Sequence, residues 1–339
     1  MSPEVLVAAV IIGSLTFYAL LGGADYGGGI WDLFSSGPRA QTQRDTIARA
    51  ITPVWEVNHI WLVLVIVLLW TGFPPAFAAI TTALHIPLLI LLFGIIFRGV
   101  SFTLRNYDTQ NLQLQKMWGL VFSVASIIAP LVLGIVVGAI THGGIVMVEG
   151  ASANGYMTPW LSPFPLVVGG FAVALFAYLA AVYLTVEAAE KELKEDFRRR
   201  AIISGIFVAL FAVLTFLVSI RQAPEVKNAL LDHPWSWGEQ GFTALASILS
   251  FWCLLRRRFV MARFAAAAQV SLILWGWALA QYPFLVRPQL TLSNSAAPPT
   301  VEKTLLGACI AGAMILLPSI RYLYKVFKEP AVIHSEISH

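Results

Sequence analysis

Three short segments in the first third of the chain put ionisable side chains inside otherwise apolar sequence. In Pro53-Val54-Trp55-Glu56-Val57-Asn58-His59-Ile60-Trp61-Leu62, Glu56 and His59 are three residues apart and so share one face of a helix. A carboxyl and an imidazole on one intramembrane face can pass protons, and chains of Glu and His do this in membrane proteins. A plainer reading is that the pair only bonds a facing polar group. The second segment is Gly22-Gly23-Ala24-Asp25-Tyr26-Gly27-Gly28-Gly29-Ile30-Trp31-Asp32. A nucleotide-binding glycine loop would need a strand before it and a βαβ unit around it. Here an apolar run of helical length precedes it, so Gly27, Gly28 and Gly29 are expected to close a membrane helix and let backbones approach. Asp25 then lines an inner cavity or bonds its neighbours. The third segment, Phe97-Arg98-Gly99-Val100-Ser101-Phe102-Thr103-Leu104-Arg105, supplies a cation at similar depth. Arg98 is the natural counter-ion of Asp25 or Glu56. Trp55 and Asn58 are expected to support the site structurally.

Haem ligation by His59 and His85 is the other chemistry to weigh, because membrane b-type haems take histidines from facing helices. His59 falls near one end of its span and His85 nearer the middle of the next, so their depths match poorly. Hydrogen-bonded core histidines are the preferred reading. The two cysteines, Cys253 and Cys309, lie in separate apolar runs and form no metal or disulfide pattern.

The elements that must hold these groups are membrane helices. Of the 339 residues, 58% are hydrophobic and 12% charged, against about 25% charged in soluble domains; mean hydropathy is +0.77. Runs of roughly 20 apolar residues recur along the chain, the length needed to cross about 30 Å of hydrocarbon. Spans are expected near 5–23, 53–70, 77–98, 117–140, 164–186, 201–220, 241–255, 264–282 and 304–323. The first follows Met1-Ser2-Pro3-Glu4 without a basic leader and is expected to be a retained span. Segment 187–200 is expected to extend the fifth span as a solvated helix, with Glu190 and Lys194 spaced to pair. The loop 283–303 is expected to be irregular.

With the N-terminus outside, only Arg221, Lys227, Arg287 and Lys303 of the 22 Lys and Arg fall outside. The other cations lie inside, as short loops demand. An even number of spans would reverse the C-terminal cations. The fold expected is therefore all-α and integral to the membrane, with about nine transmembrane helices, N-terminus outside and C-terminus inside. A net charge of +4 thus reflects sidedness and calls for no nucleic acid.

The three segments, in this order, resemble the N-terminal signature of subunit II of cytochrome bd-type quinol oxidases. Phe73-Pro74-Pro75-Ala76-Phe77 and Gln281-Tyr282-Pro283-Phe284 fit the same pattern. The Gly-Gly-Gly-Ile-Trp-Asp form is similar to the cyanide-insensitive branch. The resemblance is strong over the first 105 residues and beyond them rests on span number, length and topology.

The resemblance implies two four-helix bundles (1–140 and 160–285) plus a peripheral helix (300–325). It implies a haem-bearing subunit I as partner, with two haems b and a haem d or a further haem b. This chain would bind no haem, although some relatives hold a structural quinone. A small accessory membrane subunit and membrane lipid are further partners it allows. The complex would oxidise quinol at the outer side and reduce O2 to water with protons from inside. Glu56 matches the acidic position that the family places on the proton path, His59 is a candidate relay, and Asp25 matches a position read as structural or cavity-lining. The location implied is a bacterial plasma membrane, or a thylakoid membrane in a cyanobacterium. Two rivals stand beside this reading. One is a multi-span secondary transporter, although the polar groups cluster towards one surface rather than the midplane. The other is a scaffold subunit without any part in proton transfer.

Overall fold

Backbone polar groups in hydrocarbon must find partners within their own segment, which makes helices the default for such a chain. The computed structural model describes residues 2–52, 55–107 and 112–328, and side chains within those ranges except at 55–56, 106–107, 112 and 323–328. In chain order the elements are α1 (Pro3–Leu33), α2 (Ala40–Ile51), α3 (Trp55–Gly72), α4 (Pro74–Ala83), α5 (His85–Tyr107) and α6 (Leu112–Thr141). A two-stranded ribbon follows, β1 (Met147–Val148) with β2 (Ala151–Ser152), then α7 (Thr158–Leu161), α8 (Pro163–Glu187), α9 (Lys191–Gln222) and α10 (Pro224–Asp232). The last third holds α11 (Pro234–Leu255), α12 (Phe259–Gln281), the ribbon β3 (Phe284–Val286) with β4 (Leu290–Thr291), α13 (Leu292–Ser295) and α14 (Pro299–Lys328).

Among the described residues, seven helices are long and apolar enough to cross a membrane: α1, α5, α6, α8, α9, α12 and α14. The pair α3 and α4 makes an eighth if counted as one span bent by 117°. The expected span at 241–255 is α11, a 22-residue helix packed on α12 that stands outside this set.

Several expected boundaries move. The run 77–98 is not one span: α4 ends at Ala83 and α5 begins at His85. Pro74 and Pro75 open α4 because a proline's missing N–H costs nothing in a first turn. His85 therefore sits at the start of α5, exposed, with Nδ1 3.0 Å from the Thr82 carbonyl oxygen. The glycine run does not close α1, which continues to Leu33. The charged stretch after Glu187 extends α9 backwards rather than α8 forwards, since the chain breaks at 188–190 and restarts at Lys191. The loop 283–303 contains the β3–β4 ribbon and α13, whose N-cap Thr291 forms a capping box with Asn294.

The centre of the molecule is α1, which packs against α2, α3, α6, α8, α12 and α14. Its buried glycines explain how one helix serves so many neighbours. Successive helical residues point about 100° apart, so Gly27, Gly28 and Gly29 face three different partners. A Cβ on Gly27 would lie 2.0 Å from the Phe176 carbonyl oxygen of α8. On Gly28 it would lie 2.7 Å from Ile51 of α2, and on Gly29 2.1 Å from Ser126 Oγ of α6. Each glycine costs about 0.8–1.0 kcal/mol of helix propensity, and close packing offsets it. The Trp31 indole adds a clamp, donating to the Ala177 carbonyl of α8 at 2.7 Å.

Gly27→Ala should therefore drive α1 and α8 apart and cost at least about 1–3 kcal/mol, read as a lower melting temperature of the purified complex. Gly13→Ala in the same helix, where a Cβ meets nothing within 4 Å, should be neutral or stabilising by about 0.5–1 kcal/mol. Equal melting points for the two variants would contradict this packing account.

Candidate functional site

A buried cation has to be neutralised where it lies. Arg98, in the middle of α5, is 2% exposed, and Asp25 on α1 is 1% exposed. One guanidinium nitrogen of Arg98 is ion-paired with Asp25 Oδ1. The same nitrogen donates to the Asp25 main-chain carbonyl at 3.3 Å, and Arg98 Nε donates to Ser126 Oγ of α6 at 3.0 Å. The Asn58 amide of α3 donates to Asp25 Oδ2 at 3.0 Å, so both carboxylate oxygens are engaged. The Ser126 hydroxyl in turn donates to the Phe122 carbonyl at 2.7 Å. Four helices thus converge on one buried pair. Rings close it from the sides: the guanidinium carbon lies 4.7 Å from the Tyr26 ring centre and 5.0 Å from that of Phe122, a cation–π arrangement strengthened by desolvation. The Tyr26 hydroxyl meets the Tyr18 hydroxyl at 3.1 Å, deeper in the same core.

A second pair repeats the first. Asp32 is seven residues beyond Asp25, and Arg105 seven beyond Arg98. Arg105 Nη1 donates to Asp32 Oδ2 at 2.9 Å, with the Ser123 hydroxyl donating to the same oxygen at 3.3 Å. Seven residues rise about 10 Å along a helix, so the ladder runs from the core towards the end of the bundle that holds the loops. There Arg39 forks onto Asp196 (2.8 and 3.0 Å), Gln43 donates to Asp196 at 3.0 Å, and Arg200 donates to Gln43 at 2.7 Å and to the Phe34 carbonyl at 3.1 Å.

The expected counter-ion role of Arg98 is met by Asp25, and Asn58 joins them. The sequence reading did not include Ser126, Ser123, Tyr26 and the Asp32–Arg105 pair. The common seven-residue step in the Asp25 and Arg98 segments was the available signal for the last of these. His59, half-buried on α3, makes no hydrogen bond to a described residue. Trp55 and Glu56 open α3 with their backbone, but their side chains, like Pro53, lie outside the described residues.

His85 is exposed, His142 bonds the Ala139 carbonyl at 3.1 Å, and His233 lies exposed before α11. Burial holds the His142 imidazole below its ordinary pKa. No group of three or more His, Cys, Asp or Glu side chains is placed to hold a metal among the described residues.

Removing one partner of a buried pair leaves an uncompensated charge, which costs about 3–5 kcal/mol. Arg98→Leu should therefore destabilise the assembled protein by that order, measured as lost yield and a lower melting temperature. Arg98→Lys keeps the charge but lacks the planar fork that reaches Asp25 and Ser126 together, and should fall between. Unchanged assembly of the leucine variant would refute the pairing.

Residues 3–327 match the family model described as cytochrome bd terminal oxidase subunit II. A Bacillus subtilis protein described as a putative cytochrome bd menaquinol oxidase subunit II is 25% identical over 340 aligned positions, covering 96% of each chain. The cytochrome bd-I ubiquinol oxidase subunit 2 of Escherichia coli K12 is 27% identical over 182 positions, 53% of this chain and 46% of that one. Among solved structures, a chain of the bd oxidase from Geobacillus thermodenitrificans superposes with a TM-score of 0.82 at 26% identity, covering 97% of this chain and 99% of that chain.

Proposed function

The chain belongs to the cytochrome bd terminal oxidase subunit II family, and from that premise we propose that it bears no haem and helps deliver protons from the cytoplasmic side to the oxygen-reducing site of its partner. It is a subunit of a quinol oxidase complex, a membrane-bound oxidoreductase of a respiratory chain. Family membership implies a subunit I with the haems, which supply the oxygen chemistry. The secondary-transporter reading is not favoured, given a family match that spans nearly the whole chain.

The observation that carries the proposal is the frame around Asp25. Both oxygens of that carboxylate are occupied, by Arg98 and by Asn58. Protonating Asp25 would break the pair that holds four helices together, so its role is structural. Glu56 stands two residues before Asn58 at the start of α3. Its helix is pinned by Asn58, and we assign the exchange of protons to Glu56, with His59 one turn further along as the relay.

Sidedness supports a path from the cytoplasm. Arg39–Asp196, Arg105–Asp32 and Arg257–Glu195 tie together the α1–α2 connection, the end of α5, the start of α9 and the α11–α12 turn. These basic segments therefore gather at one end of the bundle, as the positive-inside rule demands of a cytoplasmic face. Nine spans, α1, α3, α5, α6, α8, α9, α11, α12 and α14, carry the chain from an outer N-terminus to an inner C-terminus. They divide into bundles at 1–140 and 160–285 with α14 peripheral. The membrane is a bacterial plasma membrane, and the reductant is a quinol.

Glu56→Gln should slow quinol-dependent oxygen uptake by about tenfold or more while the haem spectrum of the purified complex stays unchanged. Glu56→Asp, which keeps a carboxyl, should recover much of the rate. Loss of haem together with assembly in Glu56→Gln would instead make this residue part of a scaffold, and an unchanged rate would remove it from the path.

A further inference from the structure

A cleft of about 440 Å³ opens at the basic end, between the last turn of α8, the first turn of α9 and the turn joining α11 to α12. Lys194, Arg257 and Arg258 line it without any carboxylate, and Phe259, Val260 and Met261 form its apolar side. The charge there is not cancelled internally. Glu195 is shared between Arg257 (2.6 Å) and Arg198 (2.7 Å), one carboxylate for two guanidinium groups. Lys194 and Arg258 have no ion-pair partner among the described residues, and the expected Glu190–Lys194 pair is not formed there.

The turn itself favours a use for these cations. The Arg258 N–H donates to the Cys253 carbonyl at 2.8 Å and the Arg257 N–H to the Leu254 carbonyl at 3.2 Å, the two bonds of a Schellman cap. Such a cap needs a left-handed residue, usually glycine. Here Arg257 takes that conformation at φ +56°, so the chain accepts backbone strain to keep a guanidinium in place. Beside the cleft the surface turns apolar at once: Leu255, Val260, Met261 and Phe264 are exposed, and Trp252 lies beneath the Arg258 guanidinium at 5.3 Å. Cations over an aromatic residue at the edge of an apolar belt is the pattern of a membrane–water interface.

We propose that this cleft holds the phosphate-bearing headgroup of an anionic phospholipid, with its acyl chains along Val260, Met261 and Phe264. A free phosphate would use the cations alone, whereas a lipid also uses the apolar wall that runs into the belt. The assignment to the inner leaflet rests on the sidedness proposed above; the site itself rests only on the cleft. Anionic lipid at such a position ties the α8–α9 and α11–α12 turns together from outside the protein.

The test is native mass spectrometry of the whole oxidase complex, loaded with phosphatidylglycerol or phosphatidylcholine at equal concentration. The wild type should retain phosphatidylglycerol in preference to phosphatidylcholine. The double variant K194Q/R258Q should retain about tenfold less, with haem content and quinol-dependent oxygen uptake unchanged. The charge-keeping K194R/R258K and the remote K227Q should bind as the wild type does. Equal retention by wild type and K194Q/R258Q, or equal retention of the two lipids, would overturn the proposal. So would inorganic phosphate alone stabilising the wild type against heat as fully as phosphatidylglycerol, which would make the occupant a free anion. Lipid retention does not depend on proton delivery, so the proposal stands or falls apart from Glu56.

Discussion

Arg98 places a guanidinium almost wholly out of water. That single fact constrains the first half of the chain. The charge needs a carboxylate, so α1 must bring Asp25; the carboxylate needs a second donor, so α3 must bring Asn58. The guanidinium Nε needs an acceptor, so α6 must bring Ser126, and Ser126 fits only because residue 29 of α1 lacks a side chain. Tyr26 and Phe122 fill the remaining directions with ring faces rather than aliphatic carbon. A buried ion pair of this kind is weak evidence for net stability, since desolvating two ions costs most of what their attraction returns. Its effect is specificity: misplaced helices would leave a bare charge in hydrocarbon.

The opposite end of the molecule uses a similar device. Arg287, in the β3–β4 ribbon, is buried and ion-paired with Glu225 of α10. It also donates to the Ala280 carbonyl at 2.8 Å, while its own backbone N–H reaches the Ile140 carbonyl at 3.1 Å. One arginine thereby joins the ends of α6 and α12 to a short surface helix. Both ends of the bundle are closed by arginines spanning several segments, and the apolar belt between them is left to packing. That division matches the solvent, because helices gain no hydrophobic attraction for one another inside lipid.

Much of this was legible in the residues. Run length and composition disclose the helices, and the charges in otherwise apolar segments disclose Arg98 as the counter-ion of Asp25 or Glu56, because an unpaired ion there is too costly to keep; that Asp25 is the partner and that Asn58 joins it came from the structure. The boundaries were less legible where two apolar stretches abut. The break at Leu84 falls in a stretch apolar enough to read as one span, and Pro87, in the first turn of α5, was the signal that marked it. The helical continuation of α1 through Gly27–Gly29 was hidden, since local propensity argues against it and only contacts from three other helices sustain it. Residues 40–51 form α2, which buries Gln43, Ile47 and Ile51 at intervals of four. Serines such as Ser123 and Ser126 carry no signature of their own; their roles exist only once α5 and α6 lie side by side.

The two ion pairs on α1 and α5 share a property that neither has alone. One bridge lets a pair of rods pivot about it; two bridges separated by the same axial interval on both rods do not. Asp25 with Arg98 and Asp32 with Arg105 act like two pins in a lock, fixing both the screw angle and the axial offset of α5 against α1. Through Asn58 the first pin also sets the position of α3 against α1.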